Sequence, residues 1–235
     1  MTGVAVREVP GGRRLGVDPQ RLSGWLERFG ARHGPLTTTA GLTEVVVTAA
    51  DGAVARLVVP FPPLPPGHPG PDAGVAEHAL RSRRVGVLLV RLGGHAVGVF
   101  HGDRLVASKV GSRQVHGRSA AGGWSQQRFA RRREGQVRVA HAAAADVAAT
   151  LLLPAAAGTA PLEALVVGGD RRSVDAVLAD PRLAPLRALV TGDLLDVPDP
   201  RRAVLDSAPG RMREVQVTVI DPADAGTGPP RRAHE

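Results

Sequence analysis

The chain has 235 residues, no cysteine, and 43% hydrophobic against 22% charged residues. That excludes a disulfide scaffold, a thiolate metal site, a cysteine nucleophile and wholesale disorder. Thirty Lys and Arg against 22 Asp and Glu leave a net charge of +8, which points to a polyanionic partner.

No apolar run approaches the roughly 18 residues that cross a bilayer, and the opening MTGVAVREVPGGRR lacks the apolar core of a signal peptide. The expectation is a soluble, cytoplasmic protein without membrane contact. Asp18-Pro19 reads as an N-cap followed by proline at the first helical position, opening a helix with Leu22, Trp25, Leu26 and Phe29 on one face and Gly30 as its stop. Strands over 42–48 and 54–59 follow, joined by a hairpin at Asp51-Gly52. Seven prolines between 60 and 71 read as a semi-rigid polyproline spacer.

After the spacer the pattern predicts a short helix over 74–82 and three strands over 85–92, 95–100 and 104–110. The first strand is almost wholly apolar and so buried on both faces. A loop over 111–123 leads to a helix from near Ser125 toward Leu153, with Gly135 as a point of interruption. Strand 164–167, helix 173–179, strand 186–190, helix 200–207 and strand 214–220 complete the series. The expected architecture is α/β: a mixed-sheet, ribonuclease-H-like domain (β-β-β-α-β-α-β) after a small N-terminal α+β module. The expected boundaries are 1–59 for the accessory module, 60–73 for the linker, 74–220 for the catalytic domain and 221–235 for a disordered tail.

The charge is concentrated. Between Arg104 and Arg138 there are nine basic residues and one acid, Glu134, leaving 21 of each sign elsewhere. Charged surfaces normally mix signs, so this window reads as a nucleic-acid contact. Within it lies the stretch QVHGRSAAGGWSQQRFARRREG, residues 114–135. Gly122 and Gly123 allow close backbone approach, amides near a helix start can hold a phosphate or an oxyanion, and Gln126 or Gln127 can orient a water. The same residues also suit an ordinary surface loop on a basic helix.

His116-Gly117-Arg118, Gly122-Gly123 and Arg128-Phe129-Ala130-Arg131 resemble the catalytic loop of eukaryotic and archaeal class 1 release factors, His-Gly-Arg-Gly-Gly-Gln-Ser-Ala-x-Arg-Phe-Ala-Arg. Ser119-Ala120-Ala121 is an insertion, and Trp124 stands where those factors carry glutamine. A displaced glutamine is typical of the Vms-like release factors, and the chain most resembles their actinobacterial branch of peptidyl-tRNA hydrolases. The resemblance covers about residues 80–220 in element order and makes Gln126 the best match to the catalytic glutamine, with Gln127 the alternative. It implies a monomer that needs no metal or cofactor and places its loop in the peptidyl-transferase centre of the large ribosomal subunit, at the ester of peptidyl-tRNA. Arg113, Arg118, Arg128, Arg131, Arg132 and Arg133 would then meet rRNA and tRNA phosphates, with His116 in the same RNA-facing loop. Trp124 would stack on a base or be buried against its own domain.

Competing chemistries fit less well. A metal-dependent nuclease would need a carboxylate on the first strand, and 85–92 has none. Val166-Val167-Gly168-Gly169-Asp170 lacks both the full dinucleotide fingerprint and a P-loop lysine and reads as a tight strand-to-helix turn. Ser125 has no His–Asp partners and reads as a helix cap. Two alternatives stay open: a non-catalytic ribosome-associated RNA binder, and release by cutting the tRNA near its 3′ CCA end.

Overall fold

The computed structural model describes residues 6–92, 94–112 and 125–222, with side chains of 125–133 outside that description. The expected positions 113–124 and the tail from 223 therefore lie outside the described residues. The chain forms two units: residues 1–81 with 213–235, and residues 82–212 inserted between them.

In the first unit, alternation of apolar and polar residues makes half-covered strands. They are β1 (Arg7–Val9), β2 (Gly12–Val17), β3 (Leu36–Ala40), β4 (Glu44–Ala49), β5 (Val54–Val58) and, from the far end of the chain, β10 (Val215–Ile220). All neighbours are antiparallel, in the order β1-β2-β10-β5-β4-β3. Val45, Val47, Leu57, Val215 and Val217 bury one face against Leu22, Leu26 and Phe29 of α1 (Leu22–His33). Each such side chain contributes about 1.5–3 kcal/mol when fully buried. The Asp18 carboxylate accepts from the Gln20 amide at 2.9 Å over a 3-10 turn, Pro19–Arg21, as the Asp18-Pro19 pair predicts.

Several expectations for this unit need correction. The first helix runs through Gly30, whose missing side chain makes room for Leu36, and ends at Gly34, which adopts φ 94°. The predicted hairpin forms, with the Asp51 carboxylate accepting from the Ala53 amide at 2.9 Å, but it is part of a six-stranded sheet. The proline-rich stretch is not a free spacer. Phe61 and Leu64 are buried, and the Leu64 amide donates to the Leu42 carbonyl at 2.8 Å. The next helix, α2 (Val75–Leu80), buries Val75 in this same core. The last strand, expected in the second unit, lies between β2 and β5. Its alternation of buried Val215, Val217 and Val219 with Gln216, Thr218 and Ile220 suits a sheet covered on one side.

The second unit holds β6 (Arg84–Arg91), β7 (Gly94–His101), β8 (Arg104–Ser112), α3 (Ser125–Ala157), β9 (Ala164–Gly169), α4 (Arg171–Leu178), α5 (Ala184–Arg187) and α6 (Arg202–Asp206). The final helix, α7 (Ala208–Arg213), spans the boundary. The sheet order is β8-β7-β6-β9, an antiparallel meander with β9 parallel to β6. Leu88, Val90, Val97 and Val99 pack on Ala144, Ala148 and Leu152 of α3 and Val174 and Val177 of α4. On the opposite face the Leu205 side chain from α6 fills the space over Gly98. β6 is therefore buried on both faces, as its apolar run predicts.

Two departures occur here. Gly135 does not interrupt α3. The predicted strand over 186–190 is instead the end of α5 and a single bridge from Val190 to Leu165, joined by a second bridge from Leu195 to Gly168. Leu183 and Leu186 are buried three residues apart, and Pro185 opens the helix, so a short apolar run that alternation cannot classify became helical. Residues 134–157 are apolar and long enough to cross a membrane by composition, but Ala144, Ala145, Ala148 and Leu152 spend that apolarity on the core.

Candidate functional site

One end of the second sheet gathers the ends of several strands. Arg91 faces Gly94, Gly94 faces Ser112, and Val90 faces Gly169. From Ser112 the chain leaves the sheet, and α3 brings it back from Ser125.

Ala140 and Ala143 of α3 lie beside Val90, Arg91 and Gly94 at this same end, and from residue 134 onward the first buried residue of the helix is Ala144. Residues 125–139 thus form a helical overhang; at about 1.5 Å per residue it reaches roughly 22 Å beyond Ala140. Among residues 134–143 none is fully buried, and Glu134, Arg138 and Val139 are exposed.

The sequence-predicted residues divide at Ser125. Arg113, His116, Arg118, Gly122, Gly123 and Trp124 lie outside the described residues. Gln126, Gln127, Arg128, Arg131, Arg132 and Arg133 occupy the first turns of α3, so the helix start is where the sequence predicts it. Helical spacing puts Arg128, Arg131 and Arg132 at i, i+3 and i+4, with Gln127 one turn before Arg131. The first turn holds no acid. Cations at a helix N-terminus oppose the macrodipole and repel one another.

Sequence reasoning missed a groove at the root of this overhang. About 720 Å³ in volume, it runs between α3 and α4 and is lined by Glu134, Val137, Arg138, His141, Ala176 and Asp180 among others. His141 follows an alanine-rich pattern that carries no signal for a special role. Its Nε2 is buried with no hydrogen-bond partner among the described residues. Burial lowers its pKa from the usual 6.5, against a smaller opposing pull from Asp170. Close by, the Arg182 guanidinium donates to Asp146 of α3 at 2.8 Å and to Asp180 at 2.7 Å. The hydrogen bonds from Arg182 hold the Asp180 pKa down to about 2. Arg182 and Asp146 are exposed and Asp180 is only partly covered, so these ion pairs stabilise little.

The His141 shift has a consequence for acid stability. The folded pKa lies below the unfolded value of 6.5, so the stability tied to the neutral ring is whole above pH 6.5. It is lost as the pH falls from there toward the folded pKa. The lowered carboxylates Asp170 and Asp180 contribute losses only below their ordinary 3.8. His141→Leu is expected to lose less melting temperature between pH 7.5 and 5.5 than the wild type does. Equal losses in the two proteins would show that His141 is not the group responsible.

The turn after β9 settles the weak nucleotide-binding motif. Gly169 adopts φ 105°, where a side chain would collide with the Val90 carbonyl. Its amide donates to the Leu195 carbonyl at 2.9 Å, and the Asp170 amide to the Val90 carbonyl at 2.8 Å. Two amides that would face a phosphate at this turn are therefore already used. Asp170 caps α4, accepting from the Ser173 amide at 2.8 Å and its hydroxyl at 2.7 Å, so this is the tight strand-to-helix turn the sequence suggested.

Residues 83–218 match the family model described as Actinobacteria/chloroflexi VLRF1 release factor. The matched span takes in the second sheet, the loop, the whole of α3 and most of β10. No curated protein matches the chain.

Proposed function

The chain belongs to the Actinobacteria/chloroflexi VLRF1 release factor family, and from that premise we propose that it is a ribosome-rescue peptidyl-tRNA hydrolase. In this reading it frees the nascent chain on a stalled large subunit, acting in the cytoplasm as a monomer. The loop over 113–124 enters the peptidyl-transferase centre at the tip of the α3 overhang. Gln126, with Gln127 as the alternative, orients a water against the ester carbonyl. Backbone amides around Gly122 and Gly123 stabilise the oxyanion that forms. Water adds to the carbonyl, and the tRNA 3′ oxygen leaves with a proton.

The observation that carries the reading is the family match across a loop and helix start that hold six arginines and no acid before Glu134. Arg113, Arg118, Arg128, Arg131, Arg132 and Arg133 pair with rRNA and tRNA phosphates on the way in. His116 lies in the same approach, and Trp124 stacks on a base. Ribosomal RNA supplies the rest of the catalytic environment, so neither a metal nor a cofactor takes part.

The test is peptide release from purified large subunits carrying peptidyl-tRNA, with the tRNA product resolved on a sequencing gel. Free peptide with full-length tRNA is the expected result. Peptide on a tRNA fragment would move the reaction to cleavage near the CCA end. Co-sedimentation with no release at all would leave a non-catalytic RNA binder.

A further inference from the structure

The first unit carries a cleft that the release chemistry does not use. It is about 220 Å³ in volume and lies between α1 and the β2 side of the sheet. Leu15 and Phe29 form its apolar floor, the half-buried Trp25 lines it, and Arg13, Arg28 and Arg32 surround it. Trp25, Phe29 and His33 follow one another at successive turns of α1. The Trp25 and Phe29 rings stack with centroids 5.5 Å apart and planes within 9°, and His33 leans on Phe29 at 4.8 Å.

Two of the cations near these rings are uncommitted. Arg13 is held by Asp221 at 2.8 Å, and His33 by Asp51 at 2.8 Å. Arg28 and Arg32 are exposed and have no hydrogen bond or ion pair among the described residues. At about 100° per residue both fall within about 60° of the Trp25 direction, whereas Glu27 falls on the far side of the helix. Two free guanidinium groups beside an apolar, aromatic slot complement a ligand that is anionic along its backbone and flat at its side groups.

We propose that this cleft is a single-stranded RNA site, in which a base enters against Trp25 while Arg28 and Arg32 hold the flanking phosphates. Stacking supplies affinity with little sequence preference, because every base has a π face. A duplex keeps its bases stacked inside and cannot present one, so paired RNA reaches only the arginines. The site is independent of the α3 arginines and of the release reaction, and gives the first unit a contact with RNA of its own.

The test uses the full chain with Trp124→Phe, which leaves Trp25 as the sole tryptophan, and with Arg131, Arg132 and Arg133 changed to Gln to weaken the other RNA contact. The probe is a single-stranded 12-nucleotide RNA, with duplex RNA and polyglutamate as controls. Single-stranded RNA should quench Trp25 fluorescence saturably. Adding Arg28→Gln and Arg32→Gln, exposed positions that leave the core intact, should weaken that binding about tenfold, equivalent to about 1.4 kcal/mol. Absence of quenching, or quenching indifferent to both arginine substitutions, overturns the site. Equal binding of polyglutamate also overturns it, by showing that the cleft reads charge alone and takes an acidic protein segment.

Discussion

Gln126→Ala is expected to lower peptide release from large subunits about 10²–10³-fold while leaving co-sedimentation unchanged, the size of effect that follows removal of one group placed on the reacting atoms. The side chain is neutral, so its removal leaves the charge that carries binding untouched. Gln127→Ala is the paired experiment: a full rate there, with release abolished in Gln126→Ala, assigns the glutamine. The reverse pattern assigns Gln127. Retained release in both single variants and in the double variant would remove glutamine from the mechanism altogether.

The second large effect concerns the arginines at positions 131–133. Changing all three to Gln should weaken large-subunit binding and flatten its dependence on salt. Each phosphate that is no longer neutralised lowers the slope of log affinity against log salt by about 0.7–0.9, so the slope should fall by about 2–3. The weakening is therefore largest at low ionic strength. An unchanged slope would mean that these side chains do not meet phosphates. Together the two experiments separate binding from chemistry: a non-catalytic binder loses function with the arginines and keeps it without either glutamine.

How much of this was legible follows from the range of the forces involved. The β6-β7-β8 meander could be read because its signals are local: an almost wholly apolar run, then a Gly-Gly pair in the sequence and Gly102-Asp103 at the second turn. The α3 start was legible for the same reason. The candidate loop is marked by the order of a few side chains, His116-Gly117-Arg118 to Arg128-Phe129-Ala130-Arg131, which needs no structure to read. By contrast, His141 and its groove, and the Trp25 cleft, were invisible because each is made by elements that meet only in space.

β10 shows where local information ends. Its alternation of Val215, Val217 and Val219 with polar neighbours already marks a half-covered strand, but backbone N–H and C=O groups are the same in every strand and do not name a partner. Phe61, Leu64 and Val75 are similar: the apolar residues around the prolines announce burial, and only the packed first unit shows against what.

The amino-acid order by itself determined the local elements, the concentration of positive charge between Arg104 and Arg138, and the family-bearing loop, because these depend on neighbours along the chain. Tertiary structure alone decided that β10 joins β2 to β5 inside the first sheet, that the second unit is an insertion, and that α3 extends past the sheet end. Those outcomes depend on which exposed edges and apolar faces meet, and that is a property of the whole folded chain.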